Sequence, residues 1–144
     1  MQEFIQKLPV DIVRHIIPYT YNTQNKTLLN DIVNYTQTKT LLVELYYNFW
    51  ILEWQSIDPE EHLNWLINDI FAYANNFNPL MHGYIDKFYN IFYRNISLKS
   101  KEDVDKYVRH LEENPVPTQI NIFLGLLTEK ERTTVIACRP IRNR

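Results

Sequence analysis

The sequence predicts an all-α fold, a single-domain irregular bundle of six to eight helices over residues 1–144. Three observations carry this. Apolar residues recur at spacings of three, four and seven along most of the chain, the period of a helix with one covered face. Helix-start chemistry appears at Asp58-Pro59-Glu60-Glu61, at Ser100 with Asp103, and at Thr128 with Glu131. Strand-like alternation does not persist, and Thr133-Thr134-Val135-Ile136 is the one run where a strand competes. No internal repeat is visible. Apolar residues make up 45% and charged residues 22%, ordinary for a globular domain. A chain of this size can bury about two thirds of its unfolded surface, so a metal or disulfide is not needed for folding.

In chain order, residues 2–6 read as one helical turn or a lead-in. Leu8 to Tyr21 follows as a short helix between two prolines. Pro9 suits the first helical position, where its missing N–H costs nothing, and Pro18 pushes residue 17 out of helical conformation. Ile12, Ile16 and Tyr19 share a face, with Val13 and Ile17 beside them. From Thr27 to about Trp54, Leu28, Ile32, Tyr35, Leu42, Tyr46 and Phe49 mark the longest helical pattern. Thr36-Gln37-Thr38 is a poor helix former, which leaves one long helix or two broken at 36–39. Leu41 to Trp54 is apolar enough to be expected across the core.

Asp58 is expected to cap a helix with Pro59 first and Glu61 closing a capping box, and Leu63, Leu66, Ile67, Ile70 and Ala74 form its inner face. Asn75 to Gly83 is a loop. Tyr84 to Asn95 is a short aromatic helix with Tyr84, Phe88, Ile91 and Phe92 on one side. Ser100 caps a polar helix through Glu113 whose thin stripe is Val104, Tyr107 or Val108, and Leu111. Asn114-Pro115-Val116-Pro117 stops it, Thr118 to Leu127 is an apolar helix, and Thr128 restarts the chain. Residues 139–144 are a basic tail.

Most chemistry is disfavoured. The only glycines are Gly83 and Gly125, which argues against phosphate-cradling loops and a serine nucleophile on a sharp glycine turn. Asp11 and His15, four apart, are too few ligands for a metal, and Glu61-His62 lacks the second histidine of a zinc-protease motif. Cys138, the single cysteine, excludes an internal disulfide, points to a reducing compartment and reads as a passive apolar residue. Glu60/Glu61 and Glu112/Glu113 are explained by capping and solvation. The expectation is therefore a non-enzymatic protein with no cofactor and no metal. No secretion signal and no apolar run of membrane-spanning length are read.

Net charge is −2. Residues 1–98 carry 6 basic against 10 acidic groups and residues 99–144 carry 9 against 7, an asymmetry too mild for an electrostatic nucleic-acid surface. Lys87, Tyr89, Tyr93 and Arg94 interleave bases and rings as single-strand binders do. With Arg139, Arg142 and Arg144 they are the candidate nucleic-acid residues, the weaker reading.

Leu8-Pro9, Asp11, Ile12, Ile16, Ile17 and Tyr19, followed by Leu28-Leu29, resemble an F-box. The motif, expected over residues 8–35, opens with Leu-Pro, places an acid two positions on and runs apolar residues at helical spacing to an aromatic. Two departures stand: the Leu-Leu pair comes about three residues late, and the expected tryptophan is replaced by Gln37, Thr38 and Lys39. The pattern also looks like short helical proteins of giant, mimivirus-type DNA viruses. The abundance of Ile (16) and Asn (15) over Ala (3) is the bias of AT-rich coding. The resemblance implies an adaptor whose Leu8, Pro9, Ile12, Ile16 and Ile17 dock on a Skp1-type protein of a cullin ubiquitin ligase in the host cytoplasm. The alternatives are a virion structural or assembly protein and, third, a weak nucleic-acid binder.

Overall fold

The computed structural model describes residues 25–138. The helix expected over Leu8–Tyr21, the Asp11/His15 pair and the basic tail lie outside them. The chain divides into two units between Val33 and Asn34. The described residues form α1 (Lys26–Tyr47), a π-helical turn (Asn48–Glu53), α2 (Glu61–Ala74), a 3-10 turn (Leu80–His82), α3 (Asp86–Phe92), α4 (Lys101–Glu112), α5 (Val116–Leu126) and α6 (Glu129–Cys138). The all-α irregular bundle is thus the fold, and Thr133–Ile136 is helical.

Asn25 starts α1, its Oδ1 accepting the Thr27 N–H at 2.8 Å. Of the two alternatives, one long helix forms. Thr38 is buried in line with Leu42 and Tyr46, so tertiary cover outweighs the poor local propensity of Thr36-Gln37-Thr38. The expectation that Leu41–Trp54 crosses the core is corrected. Only Leu42 and Tyr46 of that stretch are buried, while Leu41, Tyr47, Leu52 and Trp54 are exposed. Beyond Tyr47 the hydrogen bonds lengthen to a π pattern, with the Trp54 N–H reaching Phe49 O at 3.0 Å. Gln55, at φ 52°, ends the turn.

The start of α2 is a second correction. The helix begins at Glu61, not Pro59. Asp58 Oδ1 accepts the Glu60 N–H at 2.9 Å, but Glu61 does not close a box. Its Oε1 instead accepts the Trp65 indole N–H at 2.6 Å, and Trp65 stacks on Trp50 at 4.6 Å. Leu66, Ile67, Ile70 and Ala74 are buried as expected, Leu63 only partly, and Phe71 and Tyr73 join them. Buried Asp69 accepts the Tyr46 hydroxyl at 2.6 Å, tying α2 to α1.

A Schellman motif closes α2. Asn76 N–H reaches Tyr73 O at 3.0 Å and Phe77 N–H reaches Ala72 O at 2.7 Å. Asn76 (φ 52°) is a residue suited to the left-handed conformation; Phe77 (φ 59°) is not, and holds it at a strain cost of about 1 kcal/mol. The loop beyond is held by Asn75, fully buried: its Nδ2 donates to the carbonyls of Asn78 and Gly83, and its Oδ1 accepts the Ile85 N–H. Gly83, at φ 84°, supplies a backbone turn that an L side chain resists.

α3 is shorter than expected but buries Phe88, Ile91 and Phe92, with Tyr84 stacked on Phe88 at 3.9 Å. The Ser100–Asp103 capping box is present, and Val108, not Tyr107, joins Val104 and Leu111 in the core. α5 starts earlier than expected, with Pro115 at its cap and Pro117 in its first turn. Phe123 of α5 meets Phe71, Phe88 and Phe92 at 4.9, 6.1 and 5.1 Å. The Thr128–Glu131 box also forms, with bonds of 2.8 and 3.3 Å. Behind it Arg132, 1% exposed, donates to Leu124 O and Asn34 Oδ1 and sits 5.6 Å from the Tyr35 ring.

Candidate functional site

Leu8, Pro9, Ile12, Ile16 and Ile17 lie outside the described residues, as do Arg139, Arg142 and Arg144. Their expected neighbour is described. Leu28, Leu29, Ile32 and Val33 fall on α1 at i, i+1, i+4 and i+5, which gathers them into one stripe. They are 51, 41, 48 and 53% exposed. The pair Leu28-Leu29 therefore presents apolar surface to solvent.

The interleaved bases and rings from Lys87 to Arg94, on α3 and just beyond it, behave differently. Lys87 Nζ donates to Tyr73 O at 3.0 Å and stands 3.8 Å above the Tyr73 ring. Arg94 grips both carboxylate oxygens of Glu131 at 2.6 and 2.8 Å and also donates to Leu126 O. That pairing raises the Arg94 pKa and holds the Glu131 carboxyl below its usual range. Tyr89 is buried, its hydroxyl donating to Asp105; burial first, and that bond second, push its pKa up to about 12. Lys87 and Arg94, the candidate cations among the described residues, are thus held by partners within the fold, so a phosphate there would have to compete with those partners.

A groove opens where the start of α5 and the end of α4 face α2 and the loop after it. Its volume is about 650 Å³, within the range of ligand and peptide sites. Ile67, Phe71, Ala72 and Val116 give it apolar walls, Phe77, Pro79 and Leu80 an apolar rim. Asn64, Asn68 and Asn78 add side-chain amides, and Glu112 a carboxylate. Gln119, also there, is committed to the turn between α4 and α5, its amide donating to Glu112 O and Asn114 O. The groove joins residues 64–80 to 112–119, so no local pattern in the sequence announces it. A second hollow, about 550 Å³, is lined by one flank of α1, with Tyr35, Lys39, Val43 and Tyr47 at successive turns.

His62 is buried against Tyr47, ring centroids 5.2 Å apart and edge to face. Burial lowers its pKa, against the pull of Glu60 and Asp58. Among the described residues no three His, Cys, Asp or Glu side chains gather to hold a metal, and no helix is long and apolar enough to cross a membrane. Cys138 is exposed, not apolar filling. No protein-family model, no curated protein and no solved structure matches the chain.

Proposed function

We propose that the chain is a non-enzymatic protein–protein interaction module, and that its specific form is an F-box-like adaptor for a Skp1-type protein. One observation carries the reading: the apolar stripe Leu28, Leu29, Ile32 and Val33, left about half exposed on α1. Apolar surface in water forgoes about 25 cal/mol per Å² that a covering partner recovers. A contiguous stripe, unlike a scattered leucine, is what such a partner needs. The same stripe carries the Leu-Leu pair that the F-box resemblance calls for after the Leu8-Pro9 segment.

The test is capture of a host Skp1-type protein by the full chain, compared with a Leu28→Ser/Leu29→Ser double variant and a Leu8→Ala/Pro9→Ala double variant. Capture by the parent chain, reduced at least tenfold by either pair, supports the adaptor. Capture that ignores both pairs, or no capture, refutes it.

A further inference from the structure

We propose that the groove between α2 and α5 binds an extended peptide segment of a partner protein, one carrying an apolar side chain and, near it, a lysine or arginine. The first ground is the row of amides. Asn64 and Asn68 stand one helical turn apart on α2, and Asn78 continues from the loop. One turn of helix advances about 5.4 Å, and two residues of extended chain advance about 6.6 Å. Amides one turn apart on a helix can therefore meet every second peptide group of a strand laid along it. Each primary amide carries two donors and one acceptor, the complement of a peptide N–H and C=O. None of the three has a side-chain hydrogen bond to another described residue.

The second ground is shape. Ile67 and Phe71, both buried, give the groove an apolar wall, while Phe77 and Leu80, 52% and 50% exposed, stand at its rim. Phe77 is held there by its left-handed backbone and the closing bonds of α2, and Asn75 fixes the loop that follows. The backbone of that rim is thus held before a ligand arrives, which lowers the ordering cost of binding.

The third ground is charge. Glu112 is the one ionisable residue among the described lining residues. It forms no ion pair within the described residues. It also ends α4, where the helix dipole is negative. Carboxylate and helix end together favour a cation and repel an acidic segment, which sets the chemistry of the partner.

This inference stands apart from the stripe on α1, and its experiment separates the two. The full chain is screened against arrays of capped eight-residue peptides, and the soluble hits are titrated into nitrogen-15-labelled protein. Selected peptides are expected to pair Leu or Phe with Arg or Lys within three residues. They should shift the side-chain amide signals of Asn64, Asn68 and Asn78. Glu112→Gln, at an exposed position, should weaken binding about tenfold and flatten its salt dependence. Asn68→Trp, also exposed, should fill the groove and abolish binding, while Leu28→Ser/Leu29→Ser leaves it unchanged. Selection of acidic peptides, equal affinity for Glu112→Gln, shifts confined to residues 28–33, or no binding by any peptide up to about 1 mM would each overturn the proposal.

Discussion

Residues 26–57 and 61–138 spend similar apolar side chains in opposite ways. From α2 to α6 the large apolar residues are mostly buried; Phe77, Leu80, Met81 and Ile96 are the exposed exceptions. From α1 to Ile57, only Leu42 and Tyr46 are core. Leu28, Leu29, Ile32, Val33, Leu41, Tyr47, Leu52, Trp54 and Ile57 are exposed. Hydrophobicity alone therefore does not locate the core of this chain. The later helices bring several partially apolar faces to one aromatic centre, whereas α1 buries Thr38, Leu42 and Tyr46 and packs Tyr35 and Val43 partly against the core. Surplus apolar surface in the earlier region is what a partner could use.

The sharpest break of this contrast is Phe123→Ala. Phe123 is fully buried and touches three other rings, so the cavity should cost about 3–5 kcal/mol in chemical denaturation. Next is Asn75→Ala, which leaves the Asn78, Gly83 and Ile85 backbone groups without their partner. A loss of about 2 kcal/mol is expected, with faster amide exchange at Ile85. Acid should act more weakly through Glu131, whose folded pKa is depressed by the Arg94 bond first. A depressed carboxyl contributes stability above its unfolded value, near 4.5, and loses it as pH falls through the folded value. Both partners keep some solvent contact, so the effect is about 1 kcal/mol or less. In Arg94→Met that part of the acid dependence should vanish in pH-stepped urea melts. The smallest effect belongs to the other region: Trp54→Ser, at a side chain 64% exposed, should move stability by no more than about 0.5 kcal/mol. A loss of several kcal/mol there would make Trp54 core and erase the contrast.

Local chemistry was the legible part of this chain. The boxes at Ser100–Asp103 and Thr128–Glu131 are contacts three residues apart, and both form as read. The box at Asp58–Glu61 did not form: Trp65, one helical turn on and stacked on the more distant Trp50, donates to the Glu61 carboxylate. Nothing near Arg132 in the sequence shows that Leu124, Asn34 and Tyr35 surround it. Asn75 looked like turn punctuation and is the pin of the loop. The Leu28-Leu29 pair was visible in the sequence, but its exposure was not, since periodicity marks an apolar face without saying whether it is covered. The amide-lined groove was invisible for the same kind of reason, having walls about forty residues apart.

The π-helical turn after α1 has a consequence for phase. Each i to i+5 bond puts more residues into a turn than the α pattern does, so side chains beyond Tyr47 lag behind the angles α1 would have given them. Trp50 comes round to lie flat on Trp65, while Trp54, four residues on, faces outward. Removing Asn48 or Phe49, the two residues between α1 and Trp50, would advance that clock. It would carry Trp50 off its stacking partner without changing the composition of the aromatic cluster by more than the residue removed. The stack is thus recorded in the count of residues between Tyr47 and Trp50 as much as in their identities.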